Sequence, residues 1–140
     1  MSRGKVTMRI AAALVFLATP SLADVAVFVT PSGNIQCSAG TGEGPADVSC
    51  TIFERSGPLA RPDTQGCMSN YGHHFILFDH GEVQMPCEDL PRRMTGAPVA
   101  QYGVTARFGE IFCQSSQAGL ECRNGDGRGF FLSRARQSVF

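Results

Sequence analysis

The sequence lacks the short motifs that mark the commonest nucleophile, zinc and phosphate sites. It contains no G-x-S-x-G elbow, no H-E-x-x-H and no C-x-x-C pair, so neither a serine hydrolase nor a zinc site is indicated. Its nearest approach to a phosphate-binding loop is GDGRG at 125–129. Because no helical pattern follows that stretch to supply a helix dipole, we interpret it as a β-turn.

Helical periodicity is also missing from residue 24 onward. No stretch of ten or more residues there places apolar side chains at helical spacing. Short runs rich in β-branched and aromatic residues alternate instead with turns that contain glycine or proline, which is typical of antiparallel folds. We therefore predict an all-β domain, a small antiparallel β-sandwich or barrel stapled by disulfides.

The first 23 residues have the composition of a signal peptide. Three basic residues precede an apolar run at 10–18, and SLA at 21–23 is a small-x-small cleavage site. The apolar run is too short to span a bilayer, and no other stretch is long enough. We therefore predict a signal peptide at 1–23 and one secreted β-domain at 24–140, with no membrane span after cleavage.

Lysine is absent from the predicted mature domain, whose net charge is slightly negative. Three of the twelve basic residues lie in the signal peptide, which leaves nine arginines against twelve acidic residues and a net charge near −3. Nucleic acids and anionic membranes attract proteins with a basic excess. We therefore expect neither as a partner.

Six cysteines follow the signal peptide, and an even number behind an export signal indicates a disulfide framework. They are Cys37, Cys50, Cys67, Cys87, Cys113 and Cys122. All but Cys67 have an apolar residue two positions earlier, which predicts that these five point inward from strands, as structural disulfides do.

Six cysteines allow 15 pairings, and the sequence alone does not select one. We favour neighbours along the chain, Cys37 with Cys50, Cys67 with Cys87 and Cys113 with Cys122, because each pair can bridge a local hairpin or loop. Each bond is worth roughly 3 kcal/mol in the chain-entropy model. Since a domain is typically stable by about 5–15 kcal/mol, reduction should unfold the protein or nearly so.

Residues 108–133 are interpreted as a β-meander. If Cys113 faces Cys122 across a hairpin, then Gln114 faces Glu121 and Ser115 faces Leu120, which leaves a four-residue loop at 116–119. NGDG at 124–127 predicts a second turn, and a buried strand follows at 130–132. A similar G-x-I-x-C pattern at 33–37 suggests a weak internal repeat of 33–50 and 109–122.

Earlier strands are predicted from the same alternation. They lie at Asp24–Thr30, from Ile35 onward, at Val48–Phe53, at His73–Asp79, through Val83, Met85 and Cys87, and at Tyr102–Phe108. The run at His73–Asp79 is apolar on both faces, which favours a central strand. The long segment 54–70 is predicted to be a loop that is functional or tied down by Cys67.

The three histidines lie within eight residues, beside Asp79. On a straight strand His74 and His80 are about 20 Å apart, and His73 points to the opposite face from His74, so no metal site is predicted. A hydrolase-type enzyme using His73 or His74 with Asp79 is the alternative, if folding brings these groups together. The adjacent carboxylates of Glu88 and Asp89 diverge on a strand and are not predicted to act as an acid–base pair.

Two small basic spots, Arg92-Arg93 and Arg134-x-Arg136, are candidates for an anionic partner patch. Surface arginines of this kind are more often solvated. We therefore predict no catalytic, cofactor-binding or metal-binding residue from the sequence, and no cofactor.

Three stretches resemble a family of small exported bacterial domains of unknown function. They are FVTPSGNIQC at 28–37, YGVTARFGEIFCQSSQAGLECRN at 102–124 and GRGFFLSR at 127–134. The family often carries a histidine between the last two glycines, where this chain has Arg128. The resemblance implies export and a disulfide-bonded β-fold, and it carries no established activity.

These observations favour a non-catalytic binding or interaction module, periplasmic or secreted, whose partner is a protein or a component of the cell envelope. The hydrolase-type enzyme is the rival hypothesis. A structural envelope protein that self-associates is a third.

Overall fold

The computed structural model describes residue 4, residues 10–15 and residues 25–140. Within these ranges the chain forms nine strands in two antiparallel sheets. The first sheet contains β1 (Val25–Val29), β2 (Ile35–Gly40), β3 (Asp47–Ile52) and β4 (His74–Phe78), in that order. The second contains β5 (Thr105–Phe108), β6 (Ile111–Ser116), β7 (Gly119–Arg123), β8 (Gly129–Leu132) and β9 (Gln137–Val139), also in sequence order.

The all-β prediction is therefore confirmed, and the fold is a sandwich of two meanders. The helical content of the described residues is one 3-10 turn, Met68–Asn70. Among the described residues there is no helix with the length and hydropathy of a transmembrane span. The predicted signal peptide lies outside the described residues, apart from residue 4 and residues 10–15.

Alternation along the strands decides which side chains form the core. In β2, Ile35, Cys37 and Ala39 are buried between the sheets, while Gln36 and Ser38 lie on the outer face. The other strands contribute their inward positions to one continuous hydrophobic cluster. Aromatic pairs join the two sheets: Phe28 stacks on Phe108 with ring centroids 6.0 Å apart, and Phe75 packs on Phe130 at 5.6 Å.

The predicted hairpin register is confirmed in β6 and β7. Cys113 lies opposite Cys122, Gln114 opposite Glu121 and Ser115 opposite Leu120. The loop is shorter than predicted, because Ser116 also pairs with Gly119 and leaves a two-residue turn at 117–118. Gly119 is required there because a Cβ at this position would collide with the carbonyl oxygen of Leu132 on β8.

All six cysteines form disulfides, and each bond joins neighbours along the chain: Cys37–Cys50, Cys67–Cys87 and Cys113–Cys122. The first and third bonds are buried. Each of these two connects directly opposed residues on the second and third strands of its sheet, with Cα atoms 4.1 Å apart. The segments 33–50 and 109–122 therefore occupy equivalent places in the two meanders.

The inward orientation predicted for Cys87 is wrong. Met85 is buried, but the chain then leaves the sheet, and Cys87 is exposed in a segment without strand structure. The predicted return strand is reduced to a single bridge between Gln84 and Ile76. The cystine Cys67–Cys87 consequently ties down the end of the long loop at the surface.

Two further strand predictions need correction, and one strand was not predicted. β4 is the last strand of its sheet rather than a central one, and within the described residues its outer edge pairs only at Ile76, through backbone hydrogen bonds with Gln84. β5 begins at Thr105 rather than at Tyr102, because Gly103 turns the chain with φ of 86°. β9 was not predicted, since three residues following an arginine-rich turn give too short a pattern.

Candidate functional site

The structure does not bring Asp79 to either histidine proposed for a hydrolase. The Asp79 carboxylate accepts hydrogen bonds of 2.8 Å from the backbone N–H groups of Ala46 and Glu110. Its backbone carbonyl accepts a further bond from Gly125 N–H. Asp79 therefore links the end of the first sheet to two turns of the second, which is a structural role.

His73 and His74 are likewise engaged in structural contacts. The His73 Nδ1 donates to the carbonyl of Ile52 at 2.7 Å. The buried His74 lies between Thr51 and Glu88, with Nε2 donating to the Glu88 carbonyl at 3.0 Å. The other ring nitrogen, Nδ1, is hydrogen-bonded to the Thr51 hydroxyl, also at 3.0 Å.

A hydroxyl bonded to an imidazole, as in the Thr51–His74 pair, also occurs in enzymes that use a hydroxyl nucleophile. Here, however, the neighbouring hydrogen bonds attach a chain segment to the first sheet. Both side chains are buried on the outer face of the first sheet, beneath the segment 86–100. On the same face, Gln36 donates to the carbonyl of Arg92 and accepts from the N–H of Met94. These bonds attach the segment to the sheet.

The remaining acidic candidates do not converge either. Glu88 contributes its backbone carbonyl to His74, whereas the Asp89 carboxylate accepts from the side chain of Asn70 at 2.9 Å. Across the ranges that the structure describes, no group of three or more His, Cys, Asp or Glu side chains is arranged to hold a metal ion.

His80 forms an exposed ion pair with Asp126, with Nδ1 and Oδ1 3.0 Å apart. The hydrogen bond to Asp126 and the charge of that carboxylate raise the pKa of His80 above 6.5. The same bond, together with the N–H of Gly81, lowers the pKa of Asp126. Asn124 lies beside this pair and donates to the carbonyls of Phe78 and Gly81, so the turn at 124–127 is fastened to the end of β4.

The basic spots are engaged with neighbouring side chains. Arg93 lies over the ring of Phe53, and Arg136 lies over Phe131. Arg134 pairs with Glu54 at 2.8 Å. These contacts hold the guanidinium groups against the surface, which favours the solvated-face interpretation of the sequence analysis.

Between the first strands of the two sheets lies an apolar cleft for which the described residues show no structural role. Its walls come from β1, from β5 and from the segment 98–100, and its volume is about 290 Å3. The stacked rings of Phe28 and Phe108 lie among its lining residues. None of the lining side chains is charged.

Small side chains keep this cleft open. Ala26 shares a strand face with Phe28, and Ala106 shares one with Phe108, so both alanines point toward the space between the sheets. Ala26 nevertheless remains exposed, and Ala106 and Ala100 are only half-buried. Large side chains at these positions would fill the space that the alanines leave.

One polar side chain lines the cleft without a partner. Ser115 is 2% exposed and follows Cys113 on the inward face of β6. Its hydroxyl oxygen has no hydrogen-bond partner among the residues that the structure describes. A buried hydroxyl left unpaired typically costs about 1–3 kcal/mol. A bound molecule that contacts the apolar walls and hydrogen-bonds Ser115 would recover part of that free energy.

The cleft presents almost only apolar surface. Ser115 is the polar residue of its lining, which contains no carboxylate, imidazole or guanidinium. This site was not predicted from the sequence because β1 and β5 are far apart along the chain. One local feature of the sequence did point to it. Ser115 is polar, yet it lies two residues after Cys113 and therefore on the same inward face of the strand.

Comparison with known proteins identifies the family. A model of the family of unknown function DUF6636 matches residues 8–140, and the chain belongs to that family. The match begins within the segment predicted as a signal peptide and covers all of the predicted mature domain. No curated protein and no solved structure shows significant similarity to the chain.

Proposed function

We propose that this member of the DUF6636 family is a non-catalytic binding module whose ligand enters the apolar cleft between β1 and β5. The ligand on this proposal has an apolar body and at least one hydrogen-bonding atom. It belongs to a protein or to a component of the cell envelope.

The observation that carries the proposal is the unpaired hydroxyl of Ser115. Most buried polar side-chain atoms in folded proteins have a hydrogen-bond partner, so an unpaired one calls for an explanation. Here the residue that carries the unpaired atom is buried in the wall of an apolar cleft that is open to solvent. A bound ligand supplies the missing partner and covers the exposed apolar walls at the same time.

Three disulfides indicate an oxidising environment. Together with the predicted signal peptide at 1–23, they support a periplasmic or secreted location for the module. The ligand is then a molecule of that compartment. The uncharged lining of the cleft favours an uncharged group over a phosphate or a carboxylate.

Binding of p-cresol and toluene by the oxidised domain tests this proposal. The two probes share an apolar ring, but only p-cresol carries a hydroxyl. We expect both to shift the NMR methyl signals of Ala26 and Ala106, with p-cresol bound up to about tenfold more tightly because a net hydrogen bond contributes about 0.5–1.5 kcal/mol. Ser115→Ala should remove that difference.

Filling the cleft provides the complementary variant. Ala106→Leu should abolish binding of both probes, whereas Ala135→Leu, at an exposed position outside the cleft, should leave binding unchanged. Absence of saturable shifts at the cleft methyls in the folded wild-type domain would overturn the proposal. Equal affinity for both probes would overturn the role given to Ser115.

A further inference from the structure

We propose that the natural occupant of the cleft is an extended, uncharged segment of a partner protein, which adds as a strand to the free edge of β1. This inference rests on the proposed function, because it identifies the class of ligand for the same cleft. Strand addition to an exposed sheet edge is a common mode of peptide recognition, in which backbone hydrogen bonds give affinity and pockets for alternate side chains give specificity.

The edge of β1 already accepts an extended segment at one end. Val29 N–H donates to the carbonyl of Pro98 at 2.9 Å, and its carbonyl accepts from Ala100 N–H at 2.8 Å. The segment 98–100 runs parallel to β1 at this point. The residues that precede Pro98 do not continue the pairing in the described part of the chain.

The outward backbone groups of the rest of β1 therefore remain available. Hydrogen-bonding direction alternates along a strand, so the N–H and C=O of Val27 point to the same side as those of Val29. No described residue pairs with Val27 on that side. A strand placed here would lie end to end with the segment 98–100 and alongside the cleft.

Nothing in the sequence of β1 protects this edge. Exposed edges in natural proteins usually carry charges, prolines or bulges that prevent pairing with other chains. β1 reads VAVFV and has none of these, and Val25 is 66% exposed. An uncharged apolar edge of this kind is suited to pairing with a further strand.

The unpaired backbone and Ser115 together select a peptide over two other occupants. An acyl chain would fill the apolar space but has no backbone donor or acceptor to pair with the N–H and C=O of Val27. A second copy of β1 would satisfy the backbone but has no side chain that can hydrogen-bond Ser115, since all five of its residues are apolar. A peptide with a Thr among its inward residues meets both requirements.

The probe for this inference is the capped pentapeptide VSTSV, whose Val, Thr and Val side chains share one strand face. We expect saturable binding to the oxidised domain by NMR, with slowed hydrogen exchange at the Val27 amide. The peptide VSVSV, which replaces the central Thr by an isosteric apolar residue, should bind several-fold less tightly. Ser115→Ala should make the two peptides equivalent.

Val27→Pro tests the backbone contact directly. Proline is tolerated in an edge strand where the N–H faces away from the sheet, so β1 should still pair with β2. The substitution should weaken VSTSV by about tenfold or more through the lost donor and the blocked edge. Val27→Thr, which keeps the N–H and the side-chain shape, should bind VSTSV like the wild type.

The outcomes separate this inference from the proposed function. If p-cresol binds and VSTSV does not, or if Val27→Pro binds VSTSV as well as the wild type does, strand addition is overturned and the apolar cleft site stands. If neither probe binds, both proposals fall. Concentration-dependent dimerisation that Val27→Pro abolishes, in the absence of peptide, would overturn a partner segment in favour of a second copy.

Discussion

Phe75 packs against Phe130 across the sandwich, with ring centroids 5.6 Å apart. Each ring belongs to the fourth strand of its sheet and lies opposite the third-strand cysteine of a buried disulfide, Cys50 or Cys122. The two meanders therefore meet through equivalent aromatic residues, each placed beside an equivalent cystine. This arrangement gives a small domain a core that is covalently fixed within each sheet and held between sheets by apolar packing.

Truncating either ring should destabilise the domain strongly. Both phenylalanines are fully buried, so Phe75→Ala and Phe130→Ala should each lower the free energy of unfolding by about 3–5 kcal/mol in urea titrations. The double variant should lose less than the sum, because the two rings share one contact. Phe112→Ala, at a position on the outer face that is 46% exposed, should cost about 1 kcal/mol or less. Strict additivity would contradict a shared contact.

The three disulfides should be reduced in a defined order. Reduction requires access of the reductant to sulfur, and Cys87 is exposed while both other cystines are buried. Under limiting phosphine at neutral pH, mass spectrometry after alkylation should find label first at Cys67 and Cys87. Label at Cys113 should appear only as the domain unfolds. Early labelling of Cys113 in domain that is still folded by circular dichroism would contradict this order.

Asp79 should matter for the stability of the fold. Asp79→Ala removes two charge-assisted hydrogen bonds to the backbone of Ala46 and Glu110, and we expect a loss of about 1.5–3 kcal/mol in thermal or urea unfolding. Asp79→Asn retains one acceptor and should cost less. Asp89→Asn is the matched control, because its partner Asn70 lies at the surface. If Asp79→Ala were as stable as the wild type, the structural role assigned to Asp79 would be wrong.

The His80–Asp126 pair should make stability depend on pH. The raised pKa of His80 means that its contribution is complete below its ordinary value of 6.5 and is lost as pH rises through the folded value. The lowered pKa of Asp126 means that its contribution is present above 3.8 and is lost as pH falls through the folded value. The pair therefore contributes most between these two values.

His80→Gln measures this contribution. Its urea midpoint should fall below that of the wild type between pH 3.8 and pH 6.5 and approach it at higher pH. The charges of Asp79 and Glu110 also favour protonated His80, so the difference includes their smaller contributions, whereas Arg128 acts on Asp126 and is unchanged. A difference that stays constant from acid to alkaline pH would show that the ion pair is not its cause.

Several structural features were predictable because they depend on residues close together in the chain. The register of β6 and β7 followed from Cys113 and Cys122, since opposed cysteines align every other residue of a short hairpin. The same reasoning anticipated the bond Cys37–Cys50. It failed for Cys87, because an apolar residue two positions earlier gives the side-chain direction only while the chain remains in a strand.

The histidines show the limit of such reasoning at the candidate site. Their sequence positions placed His74 and Asp79 on one short strand. Because the two positions differ by an odd number, their side chains were expected on opposite faces. The alternation of side chains along a strand does not tell which residues from elsewhere in the chain contact each face. The partners of His74 are Thr51 and the Glu88 carbonyl, and those of Asp79 are the amides of Ala46 and Glu110.

By itself the sequence determined the all-β class and the core face of most strands, because alternation and short loops are encoded within a few residues. It favoured the disulfide pairing of neighbouring cysteines without selecting it. Only the tertiary structure decided that β1 of one sheet packs against β5 of the other and that Ala26 and Ala106 leave a cleft between them. It also decided that Ser115 is buried there without a partner. Those facts depend on how two meanders pack against each other. That packing is set by the summed contacts of residues distant in the chain, and no local pattern carries it.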